Sequence, residues 1–294
     1  MRIFLVLLFI FVLKGEVLAE GETGLRILVS NLSAEAGGMG EVFSSFYGGL
    51  DSIYYNPAGV KSKEKQIVTM LMKGQVDIYY GFLGYIHPIK RSCIGIGIVN
   101  LQGGEVELNY PDRPSEVKKA QTDYVLNLVY SLNLGKVDTG INLKLFQSTL
   151  MEEVKAEGFA LDLGLIYQIK KFSLGIAAQN IGPDVSYEGG LASGEEKDSL
   201  PLVIRGGASY RIREDLRGAI DIVKIKEEEV KTHLGLEYRH GERLTFRLGY
   251  KFGYDLSPIT AGFGIKIKNY RIDYAIALMG GLDSTHQLTL GVRF

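Results

Sequence analysis

From about residue 66 to the C-terminus, apolar and polar residues alternate with period two in segments about ten residues long. Nothing else in the chain restricts its fold as much. Phe159, Leu161, Leu163, Leu165, Tyr167 and Ile169 are interleaved with Ala160, Asp162, Gly164, Ile166 and Gln168. Leu244, Phe246, Leu248 and Tyr250 are interleaved with Thr245, Arg247, Gly249 and Lys251. The same pattern recurs near 66–73, 76–88, 92–101, 122–133, 137–148, 172–181, 202–213, 215–225, 230–239, 257–267, 270–278 and 285–294, which makes about fourteen strands. Successive side chains of a strand point to opposite faces, so each segment builds one apolar and one polar face. Soluble strands average about 5–6 residues. A strand tilted across a bilayer needs about 9–11. The length therefore predicts an all-β transmembrane antiparallel barrel over 66–294.

The links between segments support this. Every second link is tight: 89–91, 134–136, 170–171, 214, 240–243 and 268–269. The links between them are mostly longer, with 102–121 and 182–201 the longest; the one near Gly74-Gln75 is the exception. Outer-membrane barrels have short periplasmic turns and longer external loops. In lipid an unpaired peptide group costs several kcal/mol, so the sheet has to close on itself. The polar face, with Asp123, Asn127, Asp138, Asn142, Lys144, Asp162, Arg205, Asp221, His233, Glu237, Arg247, Arg271 and Asp273, then lines the lumen. Both signs are present, so ion pairs are expected there. Arg247 is assigned to the lumen and Leu248 to lipid.

Composition removes other classes. Lys and Arg total 33 against 34 Asp and Glu, with no basic run, which argues against a nucleic-acid partner. The single Cys93 leaves no disulfide and no CxxC pair. No GxSxG element or HExxH helix is present, and His87, His233, His240 and His286 lie on separate strands or turns. No catalytic residue, metal ligand or cofactor is expected. Residues 1–19 combine Arg2, the apolar run Ile3 to Leu13 and a small-residue exit at Ala19, the pattern of a cleaved secretory signal peptide. The expected location is therefore the outer membrane, with outer-membrane lipid as a partner.

Two strands differ from the rest. In the second, Ile78, Tyr80, Phe82 and Ile86 face one way and Tyr79, Leu83 and Tyr85 the other, so both faces are apolar. Tyr79, Leu83 and Tyr85 are taken as a candidate apolar inner wall, packed by a plug segment or by a hydrophobic ligand. The third strand is also apolar on both faces around Ile94, Ile96 and Ile98. The last segment ends on Phe294. That ending resembles the C-terminal signal read by the barrel assembly machinery, which makes this machinery an expected partner.

Residues 20–65 do not alternate. They hold Ala36-Gly37-Gly38-Met39-Gly40 and, after Asp51-Ser52-Ile53-Tyr54, the box Asn56-Pro57-Ala58-Gly59. Asn56 can cap a short helix that begins at Pro57, because Pro lacks the N–H that would otherwise be orphaned. A compact Gly-rich stretch ahead of a wide barrel suits a hatch over 20–65. These motifs, together with the strand count and the terminal Phe, resemble the PorV/PorQ family of outer-membrane proteins, related to FadL-type transporters of hydrophobic compounds. Tyr55 stands where that family often has Trp. The resemblance implies one of two roles: type IX-like protein secretion or surface attachment, with secretion components or cargo as partners, or passage of hydrophobic small molecules or long-chain fatty acids. It implies no enzymatic activity.

Overall fold

In the computed structural model the described residues are 25–294, apart from 75–76, 110–111, 113, 191, 255–257 and 279–283 and the side chains of 192–196. The signal-peptide reading of 1–19 and the first residues of the 20–65 span lie outside them.

Fourteen strands form one antiparallel barrel. They are β1 (Gln66–Lys73), β2 (Tyr79–Ile89), β3 (Ser92–Gln102), β4 (Gln121–Asn133), β5 (Val137–Leu150), β6 (Val154–Ile169), β7 (Phe172–Ile181), β8 (Val203–Arg213), β9 (Leu216–Ile225), β10 (Val230–His240), β11 (Leu244–Phe252), β12 (Ile259–Ile267), β13 (Tyr270–Leu278) and β14 (Thr285–Arg293). Each strand pairs with its sequence neighbour. β1 closes the ring on β14, from Gln66↔Arg293 to Lys73↔His286. The Phe294 N–H donates to the Lys65 carbonyl at 3.0 Å, so both ends of the barrel meet at the mouth with the tight links. Four of those links have two residues, Lys90-Arg91, Lys170-Lys171, Glu214-Asp215 and Lys268-Asn269. Lys90, Lys170 and Lys268 adopt positive φ, 50°, 53° and 53°, as the hairpin turns that match strand twist require.

The long links are not irregular throughout. Glu105–Leu108 pairs with Glu116–Lys119, and Val185–Gly189 pairs with Ala192–Asp198. The second hairpin joins the start of β6 through Glu188↔Lys155. Short hairpins inside a loop lack the ten-residue length that marks the wall, so the sequence pattern passes over them.

Facing follows the alternation. Leu248 is 59% exposed and Arg247 only 6%. The outer surface carries Leu234, Leu236, Phe246, Leu288 and Leu290. Tyr130, Phe172, Tyr210 and Tyr270 ring it near the tight-link mouth, and Tyr79, Tyr124, Tyr250 and Phe252 ring it towards the other. These rings supply interfacial aromatic belts without Trp.

The candidate inner wall faces the other way. Leu83 is 58% exposed and Tyr79 is exposed as well, while Phe82 is 4% exposed and Ile86 is buried. Directly opposed residues share a face, and Met70, Phe82, Val99 and Val125 stand opposite one another across β1 to β4, all buried. Tyr79, Leu83 and Tyr85 therefore belong to the lipid-side face. The apolar inner wall is made by Tyr80, Phe82 and Ile86. Period two cannot sign a strand that is apolar on both faces; the sign comes from its neighbours.

Candidate functional site

Residues 25–60 occupy the lumen as a chain of short turns rather than regular elements. These are 3₁₀ turns at Arg26–Leu28, Gly49–Ser52 and Pro57–Gly59 and a single helical turn at Ala34–Gly37. The N-cap of that helical turn is Ser33, whose Oγ accepts from the Ala36 N–H at 3.2 Å. Met39, Val42, Phe43, Phe46, Leu50 and Ile53 form its buried core, with Phe43 and Phe46 stacked at 5.2 Å between centroids.

The segment docks on the wall in two chemically different ways. The first uses Asn56-Pro57-Ala58-Gly59. Asn56 Oδ1 accepts from the Ala58 N–H at 3.0 Å and so caps the turn that Pro57 begins. Its Nδ2 lies within donor range of three carbonyls, Ser44 at 2.7 Å, Leu165 of β6 at 3.1 Å and Ile176 of β7 at 3.3 Å. The wall beneath is floored with glycine. A methyl at Gly164 would sit 2.0 Å from Asn56 Oδ1, one at Gly140 2.2 Å from the Pro57 carbonyl carbon, and one at Gly175 2.0 Å from the Ser44 carbonyl oxygen. Gly37, Gly38 and Gly40 meet the far side of the ring in the same manner. A methyl at Gly249 would lie 2.0 Å from the Gly40 nitrogen, and the Gly38 and Gly262 backbones are in contact. Gly40 has φ +69° and donates its N–H to Thr260 Oγ1 at 2.9 Å.

The second mode is ionic. Arg271 Nη1 is 2.6 Å from Glu35 Oε2, its Nη2 binds Asp51 Oδ2, and its Nε is 3.0 Å from Asp273 Oδ2. Arg247 reaches Asp273 at 2.7 Å, Glu237 at 3.2 Å and Glu35 at 3.5 Å. Glu35 thus bridges two wall arginines. Burial raises its pKa, but Arg247 and Arg271 outweigh burial and hold it below the usual carboxylate range. Glu41 pairs with Lys251 at 2.8 Å. Burial opposes ionisation there too, yet Lys251, then His233, bring the Glu41 pKa down to about 2. Asp221 of β9 accepts from the Phe43 and Ser44 N–H groups at 3.0 and 2.9 Å and from Ser44 Oγ at 2.6 Å. Tyr47 donates to Asp138 at 2.6 Å; its burial and that carboxylate raise its pKa.

All seven residues marked in the N-terminal motifs therefore touch the wall or form the turn that does. The sequence reading missed the glycines of the wall. A Gly inside a strand often marks close approach of another backbone, so Gly140, Gly164, Gly175, Gly235, Gly249 and Gly262 were the available signal. Phe294 is exposed at the outer edge of the tight-link mouth. Cys93 is buried, with Sγ 3.3 Å from the Ser62 nitrogen. Among the described residues no group of three or more His, Cys, Asp or Glu is placed to hold a metal ion. His233 is buried with Nε2 3.1 Å from Tyr254 Oη.

The geometry agrees with the comparisons. The family model of the type IX secretion system membrane protein PorP/SprF matches residues 41–294. It is that family, rather than PorV/PorQ specifically, that the match supports. No curated protein matches the chain. Among solved structures, the toluene transporter TodX of P. putida superposes with a TM-score of 0.66 at 14% identity, covering 90% of this chain and 99% of that one. The CymD monoaromatic hydrocarbon channel gives 0.64 at 13% identity, covering 90% and 97%. At such identities the likeness shows the barrel fold and nothing of substrate.

Proposed function

Because the chain belongs to the PorP/SprF family of type IX secretion system membrane proteins, we propose that it serves protein secretion as a plugged outer-membrane barrel, not as an open pore or an enzyme. Residues 25–60 are its hatch. The observation that carries this reading is the way the hatch is held. Asn56 is bonded to two wall strands, and Glu35 and Asp51 are spent on wall arginines. A solute that crossed the lumen would have to part buried ion pairs, and an unpaired buried charge is costly.

The narrower role, receiving secreted cargo or surface attachment in the manner the PorV/PorQ resemblance implies, fits a closed barrel that offers its loops. Residues 1–19 would direct export and be removed. Phe294 would be read during assembly by the barrel assembly machinery. Transport of hydrophobic small molecules, in the manner of the toluene transporter TodX and the monoaromatic hydrocarbon channel CymD, is the competing reading; it requires the hatch to move.

Reconstitution separates the two. The full chain in planar bilayers should show negligible ion conductance, and deletion of 25–60 should give a steady wide conductance. In cells the deletion should lower recovery of secreted cargo at the surface. Toluene flux into vesicles through the intact chain, with cargo secretion unaffected by the deletion, would replace this reading with the transporter.

A further inference from the structure

The two mouths of the barrel carry opposite charge. At the tight-link mouth, the lead-in 61–65 and the six tight links hold ten basic and four acidic residues. The links at the other mouth hold five basic and seventeen acidic. Short links lie on the periplasmic side of such barrels, so the basic mouth faces the periplasm. Two-residue turns favour Asn or Gly where φ is positive. Here Lys90, Lys170 and Lys268 occupy those positions.

The basic mouth is concave. Beneath the N-terminal segment lies a cavity of about 400 Å³ whose lining includes Lys61, Arg217, Arg239, Arg243, Lys266 and Arg293. Arg247 and Arg271 at its floor are already committed to Glu35, Asp51, Glu237 and Asp273. The rim is committed only in part. Arg217 and Arg239 lie 3.4 and 3.6 Å from Glu237 and Lys61 pairs with Asp138, whereas Arg243, Lys266 and Arg293 have no ion pair among the described residues, with Glu242 as the acidic residue of the lining beside Arg243. A headgroup held in the leaflet meets the outer face of the wall, whereas these side chains open inward to water. An extended soluble chain can enter such a vestibule, and a clustered positive field steers anionic partners to it.

We propose that this vestibule docks an acidic, extended segment of a periplasmic protein, its Asp and Glu carboxylates pairing with Arg243, Lys266 and Arg293. This rests on the secretion reading only in supplying a protein on the periplasmic side, and binding is measured independently of conductance and of cargo recovery.

The test uses the full chain in nanodiscs of zwitterionic lipid and a fluorescent twelve-residue peptide of alternating Glu and Gly. Fluorescence anisotropy should show saturable binding that weakens at least tenfold between 50 and 300 mM NaCl. The Arg243→Glu, Lys266→Glu double variant should lose at least tenfold in affinity. Reversal of Lys90, Arg91 and Lys170, in turns outside the cavity, should cost less than threefold. Should the double variant fail to form a heat-modifiable barrel, Arg243→Gln with Lys266→Gln carries the same comparison. Equal losses from the two sets of variants would overturn the proposal, since the surface would then be a diffuse field. Absence of peptide binding, or binding of short-chain phosphatidylglycerol in its place, would overturn it too.

Discussion

The two docks of the N-terminal segment hold one peptide to one wall by opposite means. Around Asn56 every partner is a neutral backbone group and the fit is steric, with glycine at each point where a side chain would collide. Around Arg271 the partners are charges and the wall is crowded with long side chains. The difference teaches that one lumen can fix a plug by shape on one side and by electrostatics on the other. Size should break the first dock and leave it indifferent to pH. Charge should break the second.

The largest effect is expected at the ionic dock. Arg271→Met leaves Asp51, Glu35 and Asp273 facing one another without their shared cation. Removing one partner of a buried pair typically costs about 3–5 kcal/mol. Urea unfolding in detergent should show that loss, and protease should reach residues 25–60 first. An unchanged midpoint would mean that Arg247 alone neutralises the cluster. At the steric dock, Gly164→Val places carbon within 2.0 Å of Asn56 Oδ1. Overpacking of this kind costs about 1–3 kcal/mol, and here the hatch can leave while the ladder stays. Conductance should therefore rise while the barrel stays heat-modifiable. A variant that stays closed would show that the segment can slide. Asn56→Ala should cost about 0.5–2 kcal/mol, as loss of a cap does, with the same change at pH 7 and pH 5.

The smallest effect separates the docks by pH. The folded Glu41 pKa is about 2 against an ordinary 4.5. A lowered carboxylate pKa contributes stability above the unfolded value and loses it as pH falls through the folded one. Glu41→Gln should thus cost stability at pH 7, though less than Arg271→Met, which takes the shared cation from three carboxylates. The gap from the parent chain should narrow between pH 4.5 and 2 and close below it. A gap that persists at pH 1.5 would assign the effect to packing.

Arg247 shows how far the sequence reaches. Alternation placed it in the lumen and Leu248 in lipid, and both are so. Nothing in the alternation told that Arg247 binds Glu35, Glu237 and Asp273 together. A substitution such as Arg247→Leu, mild for a solvated lumen residue, instead takes one cation from three carboxylates, leaving Glu35 and Asp273 to Arg271 and Glu237 to Arg217 and Arg239.

The sequence by itself determined the barrel, its fourteen strands, the parity of its links and the facing of every strand with one polar side. These properties are local, because period two and turn chemistry act between residues close in the chain. It also marked Asn56-Pro57-Ala58-Gly59 and the glycines at 37, 38 and 40 as the working parts of the N-terminal segment. The tertiary structure alone decided what those parts touch. Asn31 meets Gln287 and Gly40 meets Thr260 across more than two hundred residues of chain, and no periodicity links positions so far apart. It decided as well that Tyr79, Leu83 and Tyr85 face lipid, because β2 is apolar on both sides and only its register against Met70 and Val99 tells the sides apart.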